Sequence, residues 1–189
     1  SQLNVNNNLT INGAGANLTL DSQNVVLTDV ALDVSANNND IVFATDNLSQ
    51  NGTNTLNVGS GSIAFRPSDT SKSIDVRDGG GGSADVNYDF AFSNLTASSI
   101  TVGGSSHTGD ITLATGGAVP SYHFFAENSG SSSIFMAGTY GQASLDKNLT
   151  LTSGSGGIHL DGSTINLGTG VFTANSQVEL GTDLSLTAN

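Results

Sequence analysis

The sequence predicts an all-β protein, a parallel β-helix or solenoid in which short strands coil and stack. Apolar residues occur in pairs separated by one residue, usually polar, the pattern of a strand buried on one face. Gly, Ser, Asn and Asp, which favour turns, fill the gaps between pairs. Equivalent pairs recur at about 22 residues, within the range of solenoid repeats.

Composition excludes a helical protein and argues against disorder. Charged residues make up 11% of the chain and Glu occurs only at Glu127 and Glu179, whereas exposed helical faces normally use Glu and Lys. A hydrophobic share of 36%, arranged in strand-period pairs, is unlike a low-complexity linker. We therefore predict one folded domain over residues 1–189.

Charge and cysteine content exclude several partners. The net charge of -12, with only four Lys and Arg, argues against nucleic acids and anionic membranes, because phosphates need basic side chains. The chain has no Cys, which excludes disulfides and thiolate metal sites. No apolar run approaches the roughly 20 residues that a transmembrane helix needs. An acidic, Cys-free composition rich in Asn, Thr and Gly is typical of secreted bacterial surface proteins.

Strand-like pairs follow one another along the chain, three to each predicted coil. They are Leu3/Val5, Leu9/Ile11, Leu18/Leu20, Val25/Leu27, Leu32/Val34, Ile41/Phe43, Leu56/Val58, Ile63/Phe65, Ile74/Val76, Val86/Tyr88, Ile100/Val102, Ile111/Leu113, Leu149/Leu151, Ile158/Leu160 and Ile165/Leu167. Near the end, Ile158 recurs at Val178, Ile165 at Leu184 and, more loosely, Leu149 at Val171. This spacing predicts about nine coils and a rod of about 40 Å, with strands stacked about 4.8 Å apart.

An antiparallel sandwich is the main alternative fold. Two-residue turns that suit hairpins occur, among them Asn12-Gly13 and Asp161-Gly162. The repeat favours the coil, because equivalent pairs return at every third strand and not at alternate strands. Stacked coils would also explain why the phrase Asn-Leu-Thr recurs at Asn8, Asn17 and Asn148, since side chains of one type can form ladders between coils.

Two stretches break the rhythm and are predicted to protrude as loops. Residues 77–92 contain four consecutive glycines, which cannot pack a core. Residues 119–140 concentrate aromatic side chains in a chain that has few of them. These rings either fill a wider part of the core or form a binding surface for a sugar or a protein partner. The candidate ligand-binding residues are Tyr122, Phe124, Phe125 and Tyr140.

Acidic residues around the glycines are the best candidates for a metal site. Oxygen ligands suit Ca²⁺, so Asp75, Asp78, Asp85 and Asp89 form a candidate calcium site, although their spacing fits no EF-hand loop. Asp in a glycine-rich turn more often caps the backbone. Neither a Ser/His/Asp arrangement nor a phosphate-binding loop is present in the sequence, so we predict no catalytic residues and no required cofactor.

Residues 62–115 resemble a repeat of large bacterial surface proteins of the filamentous-haemagglutinin type. The resemblance rests on the strand and Arg-Pro at 63–67, the glycines at 79–82, the phrase SITVG at 99–103 and the phrase TGDITL at 108–113. It implies a right-handed parallel β-helix with a role in adhesion. The secretion phrase NPNGI and the tripeptide RGD of that family are absent from this sequence.

The expected function is therefore non-enzymatic, a rigid stalk or adhesin repeat of a large secreted bacterial surface protein. The strand pattern runs from Leu3 to Leu186 without the polar caps of a free-standing solenoid, which predicts a piece of something longer. Expected partners are a receptor or glycan on a host or neighbouring cell. A carbohydrate-binding or carbohydrate-cleaving β-helix and a self-assembling filament subunit remain alternatives.

Overall fold

Nearly all of the described chain consists of short strands and turns. The computed structural model describes residues 1–77, 82–89, 92–116, 122–141, 146–181 and 184–187. Within them, helix is limited to two short 3-10 turns, Ser35–Asn37 and Phe92–Asn94, and none is long and apolar enough to cross a membrane. The strands are β1 (Gln2–Val5), β2 (Leu9–Thr10), β3 (Leu18–Asp21), β4 (Asn24–Thr28), β5 (Ala31–Asp33), β6 (Ile41–Ala44), β7 (Asn47–Asn51), β8 (Thr55–Asn57), β9 (Ser62–Arg66), β10 (Ile74–Arg77), β11 (Val86–Asp89), β12 (Leu95–Thr96), β13 (Ser99–Gly103), β14 (Ile111–Gly116), β15 (His123–Glu127), β16 (Ser133–Gly141), β17 (Leu149–Thr152), β18 (Gly157–Asn166), β19 (Phe172–Ala174), β20 (Val178–Leu180) and β21 (Ser185–Thr187).

Every strand pair within the described residues is parallel, which confirms a β-solenoid and rejects the antiparallel sandwich. One sheet has the order β3-β6-β9-β13-β15-β17-β19, and a second has the order β2-β5-β8-β12. The third face begins as β1-β4-β7 and continues as β11-β10-β14-β16-β18-β20, with β21 also on β18. These two parts of the third face meet where Gln50 Nε2 donates to the Asp89 carbonyl.

The predicted register is confirmed for the first coils. Leu3 pairs with Val25, Leu9 with Leu32 and Leu18 with Ile41. Each of these side chains faces the interior, so aliphatic side chains stack on aliphatic side chains from coil to coil. The match of Ile158 with Val178 is also confirmed.

Two predicted matches near the end are wrong. Leu149 pairs with Phe172 and not with Val171, and Ile165 pairs with Leu186 and not with Leu184. Val171 is 56% exposed. At Leu184 and Leu186 the sequence left the register open, because both residues are apolar and a shift by two residues keeps the same face inward. At Val171 and Phe172, both apolar, the shift is one residue, which exchanges the inward and outward faces.

The structure has about seven turns, since its longest sheets hold seven strands. The predicted number of about nine, which assumed a uniform repeat, is not confirmed. One coil is much longer than the others, because Ser62 of β9 pairs with Ser99 of β13, 37 positions later. At the strand spacing of about 4.8 Å, seven turns correspond to a stack of about 30 Å.

The long coil contains a reversal of strand order. β10 pairs with β14 on one side and with β11 on the other, so β11 follows β10 in sequence but lies toward the first coils. Ser73 and Asp85, 12 positions apart, are hydrogen-bonded at the start of the two strands. The expected loop over 77–92 is thus not confirmed in its second half, where Val86–Asp89 is a strand within the sheet.

A single apolar core runs through the coils. Aromatic rings stack within it, with Phe43 and Phe65 centroids 5.2 Å apart and Phe65 and Tyr88 centroids 5.1 Å apart. Burial raises the pKa of Tyr88, whose hydroxyl donates to the Thr45 carbonyl at 2.8 Å. Tyr88 therefore fills the core with its ring while satisfying its polar atom on the backbone.

Asn and Asp side chains connect successive coils at the corners. In each case Oδ1 accepts a hydrogen bond from a backbone N–H 22 to 24 residues later, at 2.7 to 3.0 Å. The acceptors are Asn8, Asn17, Asp29, Asn38, Asp40, Asp46, Asp110, Asp146 and Asn148. The Asn-Leu-Thr phrase thus marks contacts from side chain to backbone. A direct ladder of like side chains occurs at Asn24 and Asn47, whose amides lie 3.2 Å apart.

Candidate functional site

Three of the four candidate aromatic residues belong to the core. Tyr122, Phe124 and Tyr140 are 0%, 1% and 2% exposed, and the rings of Phe124 and Tyr140 pack edge to face at 6.0 Å. Burial raises the pKa of Tyr140 well above its usual value. These rings cannot present a face to a ligand at the surface. Only Phe125, on the outward side of β15 and 37% exposed, remains available for such a contact.

The stretch 119–140 is not confirmed as a protruding loop. Its described part contains β15 and most of β16, which continue two sheets of the solenoid. Alternation along β15 directs Phe124 and Ala126 inward, so the aromatic cluster reflects a wide core. Residues 117–121, and with them the start of this stretch, lie outside the described residues.

Asp75 of the candidate calcium site is committed to an ion pair. Its carboxylate accepts two hydrogen bonds from Arg77, from Nε at 2.8 Å and from Nη2 at 2.7 Å. The Asp75 side chain is only 2% exposed although β10 directs it outward. Gly82 covers it, since a Cβ at Gly82 would lie 1.9 Å from Asn87 Oδ1 and 3.2 Å from Asp75 Cγ. Glycine is required there by this close approach.

The two other described aspartates of this candidate site, Asp85 and Asp89, do not form a metal-binding group with Asp75. Asp85 accepts hydrogen bonds from the backbone N–H and hydroxyl of Ser73, which lower the pKa of its carboxyl. Asp89 lies in register with Arg77 on the neighbouring strand. Asp78 lies outside the described residues. No group of three or more His, Asp or Glu side chains within the described ranges could hold a metal ion.

Asp75, Arg77 and Asp89 instead line a small cleft of about 220 Å³ beside Asn47 and Tyr88. The Arg77 fork already binds a carboxylate bidentately, which leaves it little capacity for a second anion. Calcium would have to displace Arg77 from Asp75 to use that carboxylate. The cleft therefore contains an ion pair whose charges and hydrogen-bonding groups already bind each other.

A different cleft, which the sequence did not predict as a site, lies at a corner of the long coil. It has a volume of about 250 Å³ and is lined by Arg66, Pro67, Thr70, Thr101, Gly103, Gly104, Ser105, Ser106, His107 and Glu127. Its walls are the ends of β9, β13 and β15 and the corner segments that follow β9 and β13. Both ionic and hydroxyl side chains therefore converge on one small volume.

Three neighbouring strands set the spacing of its two charges. Val102 pairs with Phe65 and Gly103 with Glu127, so Arg66, Gly103 and Glu127 occupy one position on successive strands, all outside the core. Two strand spacings separate Arg66 from Glu127, which corresponds to about 10 Å between their backbones. Between the two charges, Gly103 lines the cleft with backbone alone.

Gly103 is held in place by the backbone of the next coil. Its φ is +76°, a conformation that other residues rarely adopt, and a Cβ would lie 2.2 Å from the Glu127 carbonyl. The N–H of Gly104 donates to that same carbonyl at 2.8 Å. Gly103 and Gly104 thus form a backbone floor of the cleft, and beside Gly104 there is open space.

His107 contributes a buried and unsatisfied imidazole to this corner. The residue is 2% exposed, and neither ring nitrogen has a hydrogen-bond partner within the described parts of the chain. Burial lowers the pKa of His107, although Asp110 acts in the opposite direction. A buried polar side chain without partners is rare in folded proteins.

Sequence reasoning missed this corner because its parts are far apart along the chain. Arg66-Pro67 and Gly103 lie within the resemblance to the surface-protein repeat, but nothing in that resemblance predicted their contact. The 37-position offset between β9 and β13 is what joins them. Another contact that the sequence did not predict is at His159, which stacks on Phe135 at 4.8 Å and whose Nδ1 lies 3.1 Å from Glu179.

No family model, curated protein or solved structure matches this chain. The function is therefore inferred from the architecture of the solenoid and from the chemistry of its clefts.

Proposed function

We propose that this chain is a non-enzymatic structural segment of a large secreted bacterial surface protein, a stiff adhesin repeat or stalk. In this proposal the solenoid is right-handed, as are about 98% of crossovers between parallel strands of one sheet. It carries a binding region toward a receptor or glycan on a host or neighbouring cell.

The continuity of the stack is the observation that carries the proposal. The core extends from coil to coil through the buried Leu, Ile, Val and Phe side chains. Hydrogen bonds connect the corners outside that core: the N–H of Ser62 donates to Asp40 Oδ1 at 2.7 Å, and the N–H of Val171 donates to Asn148 Oδ1 at 3.0 Å. Bending the stack would break several of these contacts at once, so the unit is well suited to act as a spacer.

The surface chemistry is consistent with this role. A net charge of -12 keeps copies apart and disfavours nucleic acids and anionic lipid surfaces. Asp69 and Asp33 are typical of the acidic residues, because each carboxylate accepts hydrogen bonds from a Ser two residues later and its pKa is lowered as a result. Such aspartates stabilise turns. The resemblance at residues 62–115 supplies the bacterial surface location.

Small-angle scattering combined with a glycan panel, with and without Ca²⁺, tests the proposal. A spacer predicts a monodisperse elongated particle, no glycan cleavage and no dependence on Ca²⁺. Release of reducing sugar ends would contradict the non-enzymatic role. Glycan binding lost in Phe125→Ala, but kept in the outward control Thr150→Ala, would favour the carbohydrate-binding alternative.

Self-assembly is a second candidate function, favoured by apolar side chains on the last described strands. Leu180 is 60% exposed, Leu186 49% and Val178 37%. These side chains offer apolar area that a second copy of the chain could cover by stacking. Scattering as a function of concentration distinguishes this candidate, because an isolated spacer keeps a constant mass.

A further inference from the structure

The corner cleft combines two opposite charges that the described part of the protein leaves unpaired. Within the described residues the guanidinium of Arg66 and the carboxylate of Glu127 have neither an ion-pair nor a hydrogen-bond partner, whereas Arg77 and Lys72 are each paired with an aspartate. Arg66 and Glu127 are also too far apart to pair with each other. Arg66 is exposed and lines the cleft, so its guanidinium is accessible to a ligand.

Size and spacing restrict what could join these charges. A volume of about 250 Å³ holds a molecule of amino-acid or single-sugar size. The backbones of Arg66 and Glu127 lie about 10 Å apart, two strand spacings. A group that carries a carboxylate and an ammonium close together fits between them, since each end then forms a charge-assisted hydrogen bond.

The remaining wall supplies neutral polar groups. Thr70, Thr101 and Ser106 provide hydroxyls, which both donate and accept hydrogen bonds. The imidazole of His107 has one donor and one acceptor without a partner among the described residues. A polar ligand, or water that it orders, gives these groups the partners that the fold does not.

We propose that this cleft binds a small zwitterion of the α-amino-acid class, with the carboxylate on Arg66 and the ammonium on Glu127. The floor formed by Gly103 and Gly104 leaves the space that the ligand occupies. The inference goes beyond the structural role proposed above and does not depend on it.

The test is isothermal titration of the intact protein with the common α-amino acids, one at a time. The tightest-binding one is then compared with its analogue lacking the ammonium and its analogue lacking the carboxylate. For serine these are 3-hydroxypropionate and ethanolamine. Each analogue should bind about ten- to a hundredfold more weakly, the effect of losing one charged hydrogen-bonded contact.

Variants assign the two ends of the ligand. Arg66→Gln and Glu127→Gln should each weaken binding about ten- to a hundredfold. Lys147→Gln changes the net charge by as much as Arg66→Gln but lies outside the cleft, so it should bind normally. Circular dichroism confirms that each variant is folded.

Three results overturn the proposal. In the first, the folded protein binds no amino acid at 10 mM. In the second, an analogue with a single charge binds as well as the zwitterion. In the third, D-glucuronate binds and the amino acids do not, which makes the cleft a site for acidic sugars. None of these results bears on the spacer role, which scattering tests separately.

Discussion

Replacing Arg77 with Met should destabilise the protein strongly, because it leaves the Asp75 carboxylate charged and buried. The Asp75 side chain is 2% exposed and loses hydrogen bonds of 2.8 and 2.7 Å. Breaking a fully buried ion pair costs about 3–5 kcal/mol. The Arg77 side chain is 30% exposed, and water reaching that position would screen part of the loss. We therefore expect about 2–4 kcal/mol in the free energy of unfolding.

Urea denaturation of a double-mutant cycle measures this effect. Combining Arg77→Met with Asp75→Leu removes both charges, so most of the lost stability should return. Lys72→Met is the matched control, since its ammonium lies 3.5 Å from Asp46 in a more exposed pair worth about 0–1 kcal/mol. If Arg77→Met costs no more than Lys72→Met, or if the double variant is as unstable as the single one, the reasoning about the covered carboxylate is refuted.

Three further predictions follow from burial and close contact. Leu160→Asp should unfold the protein, because Leu160 is 1% exposed and an unpaired charge would enter the core. Thr150→Asp, at an outward position of β17, is the control and should have a normal melting temperature in the same thermal melts. Burial lowers the pKa of His107, so the unfolded chain binds a proton at this residue more readily than the folded protein does. The contribution of neutral His107 to the free energy of unfolding should therefore be fully present above about pH 6.5. Below that pH it should fall by at most about 1.4 kcal/mol per pH unit. Urea midpoints at pH 7.5 and pH 5 should show this loss, and His107→Gln should reduce it; an unchanged slope in that variant would contradict the assignment. Gly109→Ala should cost about 1–3 kcal/mol in urea denaturation, since its Cβ would lie 2.1 Å from the Lys72 carbonyl; a neutral effect would show that the two corners separate easily.

Much of the solenoid could be predicted from sequence because stacking repeats the same chemical requirement. Leu3 and Val25 each begin a pair of apolar residues separated by one residue, and the coil length places them one above the other. Where apolar residues occupy both candidate positions, as at Leu184 and Leu186, alternation alone does not select the register. The hydrogen bonds between coils make that selection, and they depend on the length of each corner.

Strand order within the long coil could not be predicted for a different reason. The pairs Ile74/Val76 and Val86/Tyr88 have the same pattern, and nothing local shows that β11 lies below β10. The corner cleft depends on that arrangement, because the extra strands lengthen the coil between Arg66 and Gly103. Arg66 and Glu127 are each an ordinary charged residue at the end of a strand. They form a candidate site only because they occupy the same position on neighbouring strands of the sheet.

The acidity of the chain follows largely from the corners of the solenoid, which gives a last prediction. Asp40 accepts hydrogen bonds from the backbone N–H of Ser62 at 2.7 Å and from its hydroxyl at 2.8 Å. The neutral side chain of Asn17 accepts a similar hydrogen bond from the N–H of Asp40 at 2.9 Å. Either side chain supplies the necessary Oδ1, so Asp40→Asn should cost less than about 1 kcal/mol, while Asp40→Ala should cost about 1–3 kcal/mol by leaving the Ser62 groups unpaired. Urea denaturation of the two variants separates geometry from charge. Equal losses in both would mean that the negative charge itself stabilises the corner. A small loss in Asp40→Asn beside a larger loss in Asp40→Ala would mean that the acidic surface is a consequence of the fold and carries no information about a cationic partner.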